Sequence, residues 1–590
     1  MANEQTTLDD EALSRLFTGV QRPGRYIGGE VNSVVKPFGS VPFRFAFAFP
    51  DTYEIAMSHL GMQVLYGLVN SRPDALCERV FMPAPDMEAS MCAAGAPLFT
   101  LESRHAVRDF DVVGFSLQYE ICYATVLRML DLAGIPRRRE ERRSGRFPLV
   151  IAGGPCAYDP EPLADFVDLF FIGDGEETLP AFIEVWKKEH PNGAAAVVSA
   201  AARSIDGLYA PEHYPLVGGR AAAAQGFPEI VKTAVVKDLD NAFFPVSPVI
   251  PFVEAVHERI ALEITRGCVR GCRFCQAGTT RRPVRHRSVS KLLDIAATSY
   301  QNTGYDEISL LSLAAGDYPY LADLCRRLMH GFQRLGVGLS FPSLRADEAL
   351  GEIAAIMAQV RKGAITVAAE AGSERLRKVI NKDITEEGIL AGLSRAFETG
   401  WNRVKMYFMV GLPSETIDDV AAIADLVEKV VAAGNKFRRN PQVTCSIAPF
   451  VPKPGTPFQW EPMASCDYVE SARKLLFERL RGRQVKLDFH NVDRSFLEGA
   501  LARGGRELCA VLERAADSGC SLDAWDDAFD YAKWRDAFAS AGLDLEACAC
   551  RRLDPDAPLA WSHISPGASA EFLRREHERA KAAPSPSTHL

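Results

Sequence analysis

The sequence contains no run of 18 consecutive apolar residues, so it offers no candidate for a helix that crosses a membrane. It also lacks a secretory signal at its N-terminus, where MANEQTTLDDEALSRLF is polar and acidic. An excess of positive charge is absent too, because 67 basic residues face 76 acidic ones and leave a formal net charge of −9. We therefore expect a cytoplasmic chain without a membrane partner, and the charge argues against indiscriminate binding of nucleic acid.

We also expect no disulfide bonds, although the chain has 14 cysteines. A cytoplasmic setting keeps thiols reduced, and most of these cysteines are predicted to be small buried apolar residues. Cys325, for example, lies on a stripe of apolar residues at helical spacing between Leu321 and Phe332.

The 590 residues suggest about two to four domains of α/β class. After a lead-in over residues 1–40, buried strands alternate with helices over 41–200, which predicts a Rossmann-like, doubly wound parallel sheet. A connector over 201–250 follows, and the charged stretch 137–146 is interpreted as a solvated surface loop. The predicted strands are FRFAFAF (43–49), DVVGFSL (111–117), PLVIAGG (148–154) and VDLFFIG (167–173).

A second α/β series is predicted over residues 251–470. Its six strands with intervening helices indicate a partial (β/α)6 barrel, in which chemistry takes place at the carboxyl ends of the strands. A mostly helical C-terminal region over 471–580 and a disordered tail over 581–590 complete the chain. The predicted strands are ALEITRG (261–267), EISLLSL (307–313), VGLSFPSL (337–344), AITVAAE (364–370), RVKMYFMV (403–410) and VTCSIAPF (443–450).

Three cysteines directly follow the first strand of this series, in the stretch TRGCVRGCRFCQAG (265–278). Cys268, Cys272 and Cys275 lie within eight residues, and no fourth cysteine is nearby. Thiolates are the natural ligands of iron–sulfur clusters, and three of them bind three of the four irons of a cubane-shaped cluster. The remaining iron is then open to a small molecule.

This C-x-x-x-C-x-x-C pattern, with Phe274 before its last cysteine, resembles the signature of the radical S-adenosylmethionine (SAM) superfamily. The resemblance implies a [4Fe–4S] cluster, SAM bound at the open iron, and cleavage of SAM to methionine and a 5′-deoxyadenosyl radical. It also implies a SAM contact at Phe274 and an external electron donor such as flavodoxin or ferredoxin. The chain is thus predicted to be a radical SAM enzyme, and the resemblance leaves its substrate open.

Further residues at successive strand ends match the SAM-binding positions of that superfamily. Ser312 follows the second strand, at the position for the methionyl amine. Ser343 and Arg345 end the third strand, where Arg345 is expected to pair with the SAM carboxylate. Glu370 is expected to accept hydrogen bonds from the ribose, and the backbone of Gly411 to meet the adenine.

The N-terminal domain resembles the cobalamin-binding-type domain of many radical SAM enzymes, through VVGFSLQYE (112–120) and VIAGGPCAYDPEPLADFVDLFFIGDGEET (150–178). More narrowly, one family of such proteins is similar over about residues 20–580, through PDTYEIAMSHLGMQVLY, TRGCVRGCRFCQAGTTRRPVR and FVPKPGTPFQW together. The resemblance implies cobalamin-assisted methyl transfer or rearrangement, and relatives often occur with a radical SAM-linked companion protein. The predicted cobalamin contacts are the strand-end residues Ser116, Gly153, Gly154 and Gly173.

One motif of cobalamin proteins is missing from this domain. Many of them carry D-x-H-x-x-G, whose histidine ligates cobalt. His59 precedes Leu60 and Gly61, but the residue two positions before it is Met57 rather than aspartate. We therefore expect any cobalamin to bind without an imidazole from this chain.

Two other functions stay open. A methylthiotransferase-like enzyme acting on RNA or protein would bind a second cluster through Cys92, Cys122 and Cys156, yet the first strand ends in PDTYE without a cysteine. A non-catalytic iron–sulfur scaffold would yield no 5′-deoxyadenosine. The basic stretch RRPVRHR (281–287) either meets an anionic substrate at the barrel mouth or pairs with local carboxylates in a solvated loop.

Overall fold

The fold is described from a computed structural model over residues 7–143, 147–340, 364–437 and 440–582. The predicted SAM contacts Ser343 and Arg345, the end of the predicted third barrel strand and most of the predicted tail lie outside these residues. None of the described helices combines the length and the apolar character needed to span a lipid bilayer.

Strands and helices alternate through most of the described chain. The strands, numbered in chain order, are β1 (Phe43–Phe49), β2 (Ala75–Phe81), β3 (Val112–Ser116), β4 (Leu149–Gly153), β5 (Leu169–Phe171), β6 (Leu208–Tyr209), β7 (Leu216–Val217), β8 (Arg220–Ala221), β9 (Ile260–Glu263), β10 (Thr265–Arg266), β11 (Arg285–His286), β12 (Glu307–Leu311), β13 (Gly338–Ser340), β14 (Ile365–Glu370), β15 (Arg403–Val410), β16 (Gln442–Pro449) and β17 (Val485–Phe489). The α-helices cover Asp10–Leu16, Tyr53–Met57, Leu60–Asn70, Pro85–Ala94, Tyr123–Ala133, Arg139–Arg142, Gly175–Glu189, Ala194–Ser204, Gln276–Thr280, Val289–Thr303, Leu321–Phe332, Glu374–Val379, Glu386–Glu398, Ile417–Lys436, Cys466–Arg479, Val492–Leu501, Leu508–Asp517, Tyr531–Ser540, Leu545–Cys550 and Ala570–Lys581.

The N-terminal unit is built on a six-stranded sheet with the order β2-β1-β3-β4-β5-β6. Strands β1 to β5 are parallel, and β6 pairs antiparallel with β5. In doubly wound sheets of the order 2-1-3-4-5, ligands bind at the carboxyl edge, beside the switch point between β1 and β3. The predicted Rossmann-like sheet is confirmed, and it continues past residue 200 because β6 belongs to it.

Strand β2, at the edge of this sheet, is not among the predicted strands because charged residues interrupt its apolar pattern. Glu78 and Arg79 are both buried within it. The Arg79 guanidinium donates to the carboxylates of Glu30 at 2.7 Å and Glu102 at 2.6 Å. Glu30 belongs to the lead-in segment, so this charge cluster also fixes that segment against the sheet.

The charged stretch 137–146 is not a solvated loop over the residues described, and that prediction is wrong. Residues Arg139–Arg142 form a short helix whose Arg142 is buried. The Arg142 guanidinium donates to the Phe166 carbonyl at 2.6 Å and to Asp168 at 3.0 Å. Nearby, Arg138 donates to Glu513, which lies in the C-terminal region. The stretch therefore links two regions of the fold.

The second α/β unit consists of parallel strands in two described groups. Strands β13-β12-β9 form one group and β14-β15-β16-β17 the other, and every adjacent pair within them is parallel. All six predicted strands are present, and the predicted α/β architecture is confirmed. Strand β17 is a further parallel strand, located inside the region predicted to be mostly helical.

The C-terminal region contacts both units and holds them together. The Trp525 indole N–H donates to Asp51, just after β1, at 2.8 Å. The Arg506 guanidinium pairs with Glu161 of the N-terminal unit at 2.9 Å. At the other end of the region, helix Ala570–Lys581 buries Ala580 in an apolar cluster of the second unit.

Replacing Arg79 by alanine should lower the free energy of unfolding by about 3–5 kcal/mol, because Glu30 and Glu102 would stay buried without their cation. Urea denaturation measures the loss. Arg15→Ala is the control: Arg15 and Glu11 form an exposed pair, with side chains 73% and 79% accessible, whose loss should cost less than about 0.5 kcal/mol. Equal losses in the two variants would contradict the structural importance of the buried cluster.

Candidate functional site

A cavity of about 580 Å³ lies where the carboxyl edge of the N-terminal sheet meets the first strands of the second unit. Both units line it. Gly267 follows β10 and Ser312 follows β12 on one side. On the other side the N-terminal sheet supplies all four residues that were predicted from its strand ends, namely Ser116, Gly153, Gly154 and Gly173.

The inner wall of the cavity is apolar, and polar groups are concentrated where the two units meet. This wall lies between the sheet and the helices Leu60–Asn70 and Gly175–Glu189. Ligand sites commonly combine such a wall with a few polar groups that fix orientation. The apolar residues of this wall include Phe45, Phe47, Val64, Leu65, Ile151, Phe171 and Leu179.

Two of the predicted glycines are required by the backbone itself. Gly154 and Gly173 have positive φ angles of +111° and +110°, a region that favours glycine. A Cβ at Gly154 would lie 2.5 Å from the Leu117 carbonyl oxygen, and one at Gly173 would clash with the Ala234 backbone. Tight turns therefore explain both glycines, independently of any ligand.

His59 lines the same cavity, after the end of β1. Its Nδ1 accepts the Met62 backbone N–H at 3.3 Å as the cap of the following helix. Burial lowers the pKa of His59, and a hydrogen bond with Gln118 opposes that effect. In the resulting neutral ring the capping bond assigns the proton to Nε2, so neither nitrogen keeps a free lone pair for a metal.

Buried ion pairs form the wall between the two units. Asp174, after β5, accepts from the Arg285 guanidinium at 2.6 Å and forms an ion pair with Arg266 at 3.2 Å. Arg266 also pairs with Glu176 at 2.7 Å and with Glu263 at 2.8 Å. Burial by itself would raise the pKa of Asp174, but Arg266 and Arg285 outweigh it and hold that pKa below its usual range.

The basic stretch 281–287 supplies part of this network. Arg281 lies 3.4 Å from Asp174, and Arg287 lies 3.4 Å from Glu263. Arg285 and Arg287 are buried. The prediction that these arginines pair with local carboxylates is confirmed, whereas the solvated position is wrong for the two buried ones.

The cysteine loop follows β10 and is held by Arg273 in its middle. The Arg273 backbone N–H donates to the Ile380 carbonyl at 3.0 Å. Its guanidinium donates to the carbonyls of Lys378 at 3.1 Å and Val379 at 2.7 Å, and to the Glu576 carboxylate at 3.1 Å. This buried side chain fixes the loop to a barrel helix and to the C-terminal helix together.

Cys268, Cys272 and Cys275 are half-buried and share one electrostatic environment. Burial raises the pKa of Cys272 to about 11, Lys382 acts to lower it, and the other two thiols act to raise it. Among the described residues, no three His, Cys, Asp or Glu side chains are placed to hold one metal ion. Three thiols near one another instead suit a cluster, in which each thiolate would bind a different iron.

Glu370 ends β14 in an unusual conformation. Its φ is +67°, and the pairing register with β15 shifts between Ala368 and Glu370. Strained non-glycine residues of this kind cluster at functional sites. The Lys382 ammonium donates to the Glu370 carboxylate at 3.3 Å; burial raises the pKa of Glu370, and Lys382 opposes the rise.

Lys382 was not predicted from the sequence, because it lies in the loop after helix Glu374–Val379 rather than at a strand end. Its ammonium is the cation that acts on both Cys272 and Cys275. Only the fold brings this loop beside the cysteines.

Gly411 follows β15, with a φ of +82°. Its backbone N–H donates to the Glu415 carboxylate at 2.6 Å, and the Tyr468 hydroxyl donates to the same carboxylate at 3.0 Å. Burial raises the pKa of Glu415 to about 7, against the effect of these bonds. Glu415 thus fixes the loop in which the sequence predicts an adenine contact.

The remaining predicted SAM contacts have local partners. The Ser312 hydroxyl accepts the Ala314 backbone N–H at 3.1 Å. Phe274 packs against an apolar cluster that includes Ile380 and Phe458.

The three cysteines of the second-cluster alternative have different environments. Cys92 is exposed, whereas Cys122 and Cys156 are buried. Burial raises the pKa of both buried thiols. The geometry places Cys122 and Cys156 in the core and Cys92 on the surface.

Two family models match the chain, "Radical SAM proteins, N-terminal" over residues 61–211 and "Radical SAM superfamily" over residues 262–427. The uncharacterized protein MJ0966 of Methanocaldococcus jannaschii is 28% identical over 419 residues, which cover 70% of this chain and 83% of that protein. A tRNA-2-methylthio-N(6)-dimethylallyladenosine synthase of Thermotoga petrophila is 25% identical over 261 residues, which cover 40% of this chain and only 56% of that enzyme.

Among solved structures, the radical S-adenosylmethionine methyltransferase TsrM from Kitasatospora setae, with cobalamin and a [4Fe-4S] cluster bound, shares the fold with a TM-score of 0.50. The sequences are 12% identical, and the match covers 81% of this chain and 99% of that one. The two family models, one in each α/β unit, show that the chain belongs to the radical SAM superfamily.

Proposed function

We propose that this radical SAM enzyme uses cobalamin to transfer a methyl group to, or to rearrange, a substrate that binds in the cavity between the two units. The observation that carries this proposal is that one cavity is lined by the carboxyl edges of both parallel sheets. Ligands bound at these two edges would therefore meet in one place.

Cys268, Cys272 and Cys275 are the proposed ligands of a [4Fe–4S] cluster. With SAM, such a cluster supplies the 5′-deoxyadenosyl radical that starts the chemistry. The chain's own contribution is to position and shield. Arg273 holds the loop, and Lys382 places a cation near two of the thiolates.

Glu370, Ser312 and Gly411 are the proposed contacts for the ribose, the methionyl amine and the adenine of SAM. Lys382, paired with Glu370, offers a cation for the SAM carboxylate, a role also proposed for Arg345. The strained backbone at Glu370 and the Glu415 contact with Gly411 support this assignment, because preorganised groups lose little entropy on binding.

The cavity between the sheet and its helices is the proposed cobalamin site. Its apolar inner wall suits a flat or apolar part of a ligand, and Ser116 and Gly153 lie at its polar edge. The capping bond of His59 supports cobalamin bound without an imidazole from this chain. The shared fold with TsrM, which was solved with cobalamin bound, is consistent with this site.

The sequence match to a tRNA methylthiotransferase keeps that function as the second candidate. Two observations weigh against it. β1 is followed by Pro50, Asp51 and Thr52 rather than by a cysteine, and Cys92 is exposed whereas Cys122 and Cys156 are buried in the core. We propose that these cysteines hold no second cluster.

Alanine at Cys268, Cys272 or Cys275 should remove most of the visible absorbance after anaerobic reconstitution, and all formation of 5′-deoxyadenosine. Cys92→Ala is the matched control and should retain both. Iron analysis should give about four irons per chain. A Cys268→Ala protein that cleaves SAM at the normal rate would refute the ligand assignment, and about eight irons would favour the methylthiotransferase.

Leu65→Trp should fill the apolar wall of the cavity and prevent retention of cobalamin, while SAM cleavage continues. Leu68→Trp is the control, because Leu68 lies on the same helix and does not line the cavity. Absorbance after gel filtration measures retained cobalamin. EPR of wild-type protein with cob(II)alamin should show no splitting from a protein nitrogen, so His59→Ala should leave the spectrum unchanged, including any splitting from the cofactor's own base. A protein nitrogen on cobalt would contradict the capping argument.

A further inference from the structure

The C-terminal helix Ala570–Lys581 carries basic side chains to the surface beside the cysteine loop. Its buried stripe consists of Leu573, Glu576, His577 and Ala580. Its exposed positions carry four basic residues, Arg574, Arg575, Arg579 and Lys581, and two acidic ones, Glu571 and Glu578.

Two contacts tie this helix to the cysteine loop. Glu576 accepts from Arg273, which lies between Cys272 and Cys275 in the sequence. The Phe572 ring has the guanidinium carbons of Arg282 and Arg575 at 5.5 and 5.6 Å from its centroid, within the range of cation–π attraction. The Arg282 Nε–H donates to the Gly278 carbonyl, just after the cysteines, at 2.8 Å.

These side chains form a surface with excess positive charge on a chain whose formal net charge is −9. Lys378 adds another exposed cation on helix Glu374–Val379, whose apolar face packs against the C-terminal helix. Three acidic partners offset the charge only in part: Asp556 is 3.8 Å from Arg574, Glu576 is 2.7 Å from Arg579, and Glu578 is 3.0 Å from Lys581. We call this surface the basic patch; it comprises Arg282, Lys378, Arg574, Arg575, Arg579 and Lys581.

We infer that the basic patch is the docking surface for an acidic one-electron carrier protein of the flavodoxin or ferredoxin kind. This inference rests on the proposed function, because it requires a cluster on Cys268, Cys272 and Cys275. The carrier loses one electron, and the cluster gains it. No covalent bond changes in this step.

The position of the basic patch supports an electron carrier in particular. None of its residues lines the cavity, where SAM and substrate are proposed to bind, so a carrier on the patch would leave that cavity free. The Arg273–Glu576 pair joins this helix directly to the cysteine loop, so a carrier docked on the helix would lie next to the loop proposed to hold the cluster. An RNA would also be attracted by positive charge, but an RNA substrate has to reach the cavity. Opposite charges on the two partners would speed their encounter and orient it.

The test reverses two charges of the patch with Arg574→Glu and Arg575→Glu in one protein. Arg574 has only a 3.8 Å ion pair and Arg575 a ring contact, so folding should survive. With reduced flavodoxin at low salt, the initial rate of 5′-deoxyadenosine formation should fall about tenfold. The patch variant's rate should also depend less on ionic strength than the wild-type rate does. With dithionite, a small reductant that needs no docking surface, the rate should equal that of the wild type.

The matched control is the double variant Arg481→Glu and Arg483→Glu, which makes the same charge change at exposed positions before β17. It should retain the wild-type rate with flavodoxin. Equal losses in the two double variants, or an unchanged rate in the patch variant, would overturn the inference. Loss of tRNA binding in the patch variant, with an unchanged flavodoxin-driven rate, would also overturn it and assign the patch to RNA.

A binding measurement separates this inference from the proposed function. The Kd for oxidised flavodoxin, measured by calorimetry at low salt, should be about tenfold higher in the patch variant than in the wild type. Wild-type protein that makes no 5′-deoxyadenosine with dithionite would refute the proposed function. Equal Kd values for wild type and patch variant would refute the docking surface, whatever the outcome with dithionite.

Discussion

The buried carboxylate of Asp174 is the contact on which the placement of the two α/β units depends. It comes from the end of the N-terminal sheet, accepts from Arg285 and forms an ion pair with Arg266, both of the second unit. A buried carboxylate is stable only while it is paired, so sheet and arginines stay together. Arg266 stands two residues before Cys268, and the same ion pairs therefore fix where the cysteine loop begins beside the cavity.

The C-terminal region fixes the same loop from another side. Glu576 reaches Arg273 between the cysteines, while Trp525 and Arg506 bind the N-terminal unit. The loop is thus held through the N-terminal unit, through its own barrel and through the C-terminal helix. A site held in this way can keep reactive groups in position and apart from water, which is the main task of a protein around a radical cofactor.

Much of this arrangement was predictable from the sequence, because buried parallel strands are apolar runs and their carboxyl ends share one edge. Ser116 and Ser312 were placed at strand ends on that basis, and both line one cavity. Strand β2, Lys382 and the stretch 137–146 escaped prediction for one physical reason. Each depends on charges whose partners are remote in sequence, such as Glu30 for Arg79 and Glu513 for Arg138, and a local pattern carries no information about a remote partner.

The ligands of both units are expected to meet in one cavity. EPR of the reduced protein, loaded with both the iron–sulfur cluster and cob(II)alamin, tests whether they do, because two nearby unpaired electrons broaden and split each other's signals. The doubly loaded protein should give a spectrum that differs from the sum of the two singly loaded ones. A spectrum equal to that sum, with both centres fully occupied, would contradict the shared cavity.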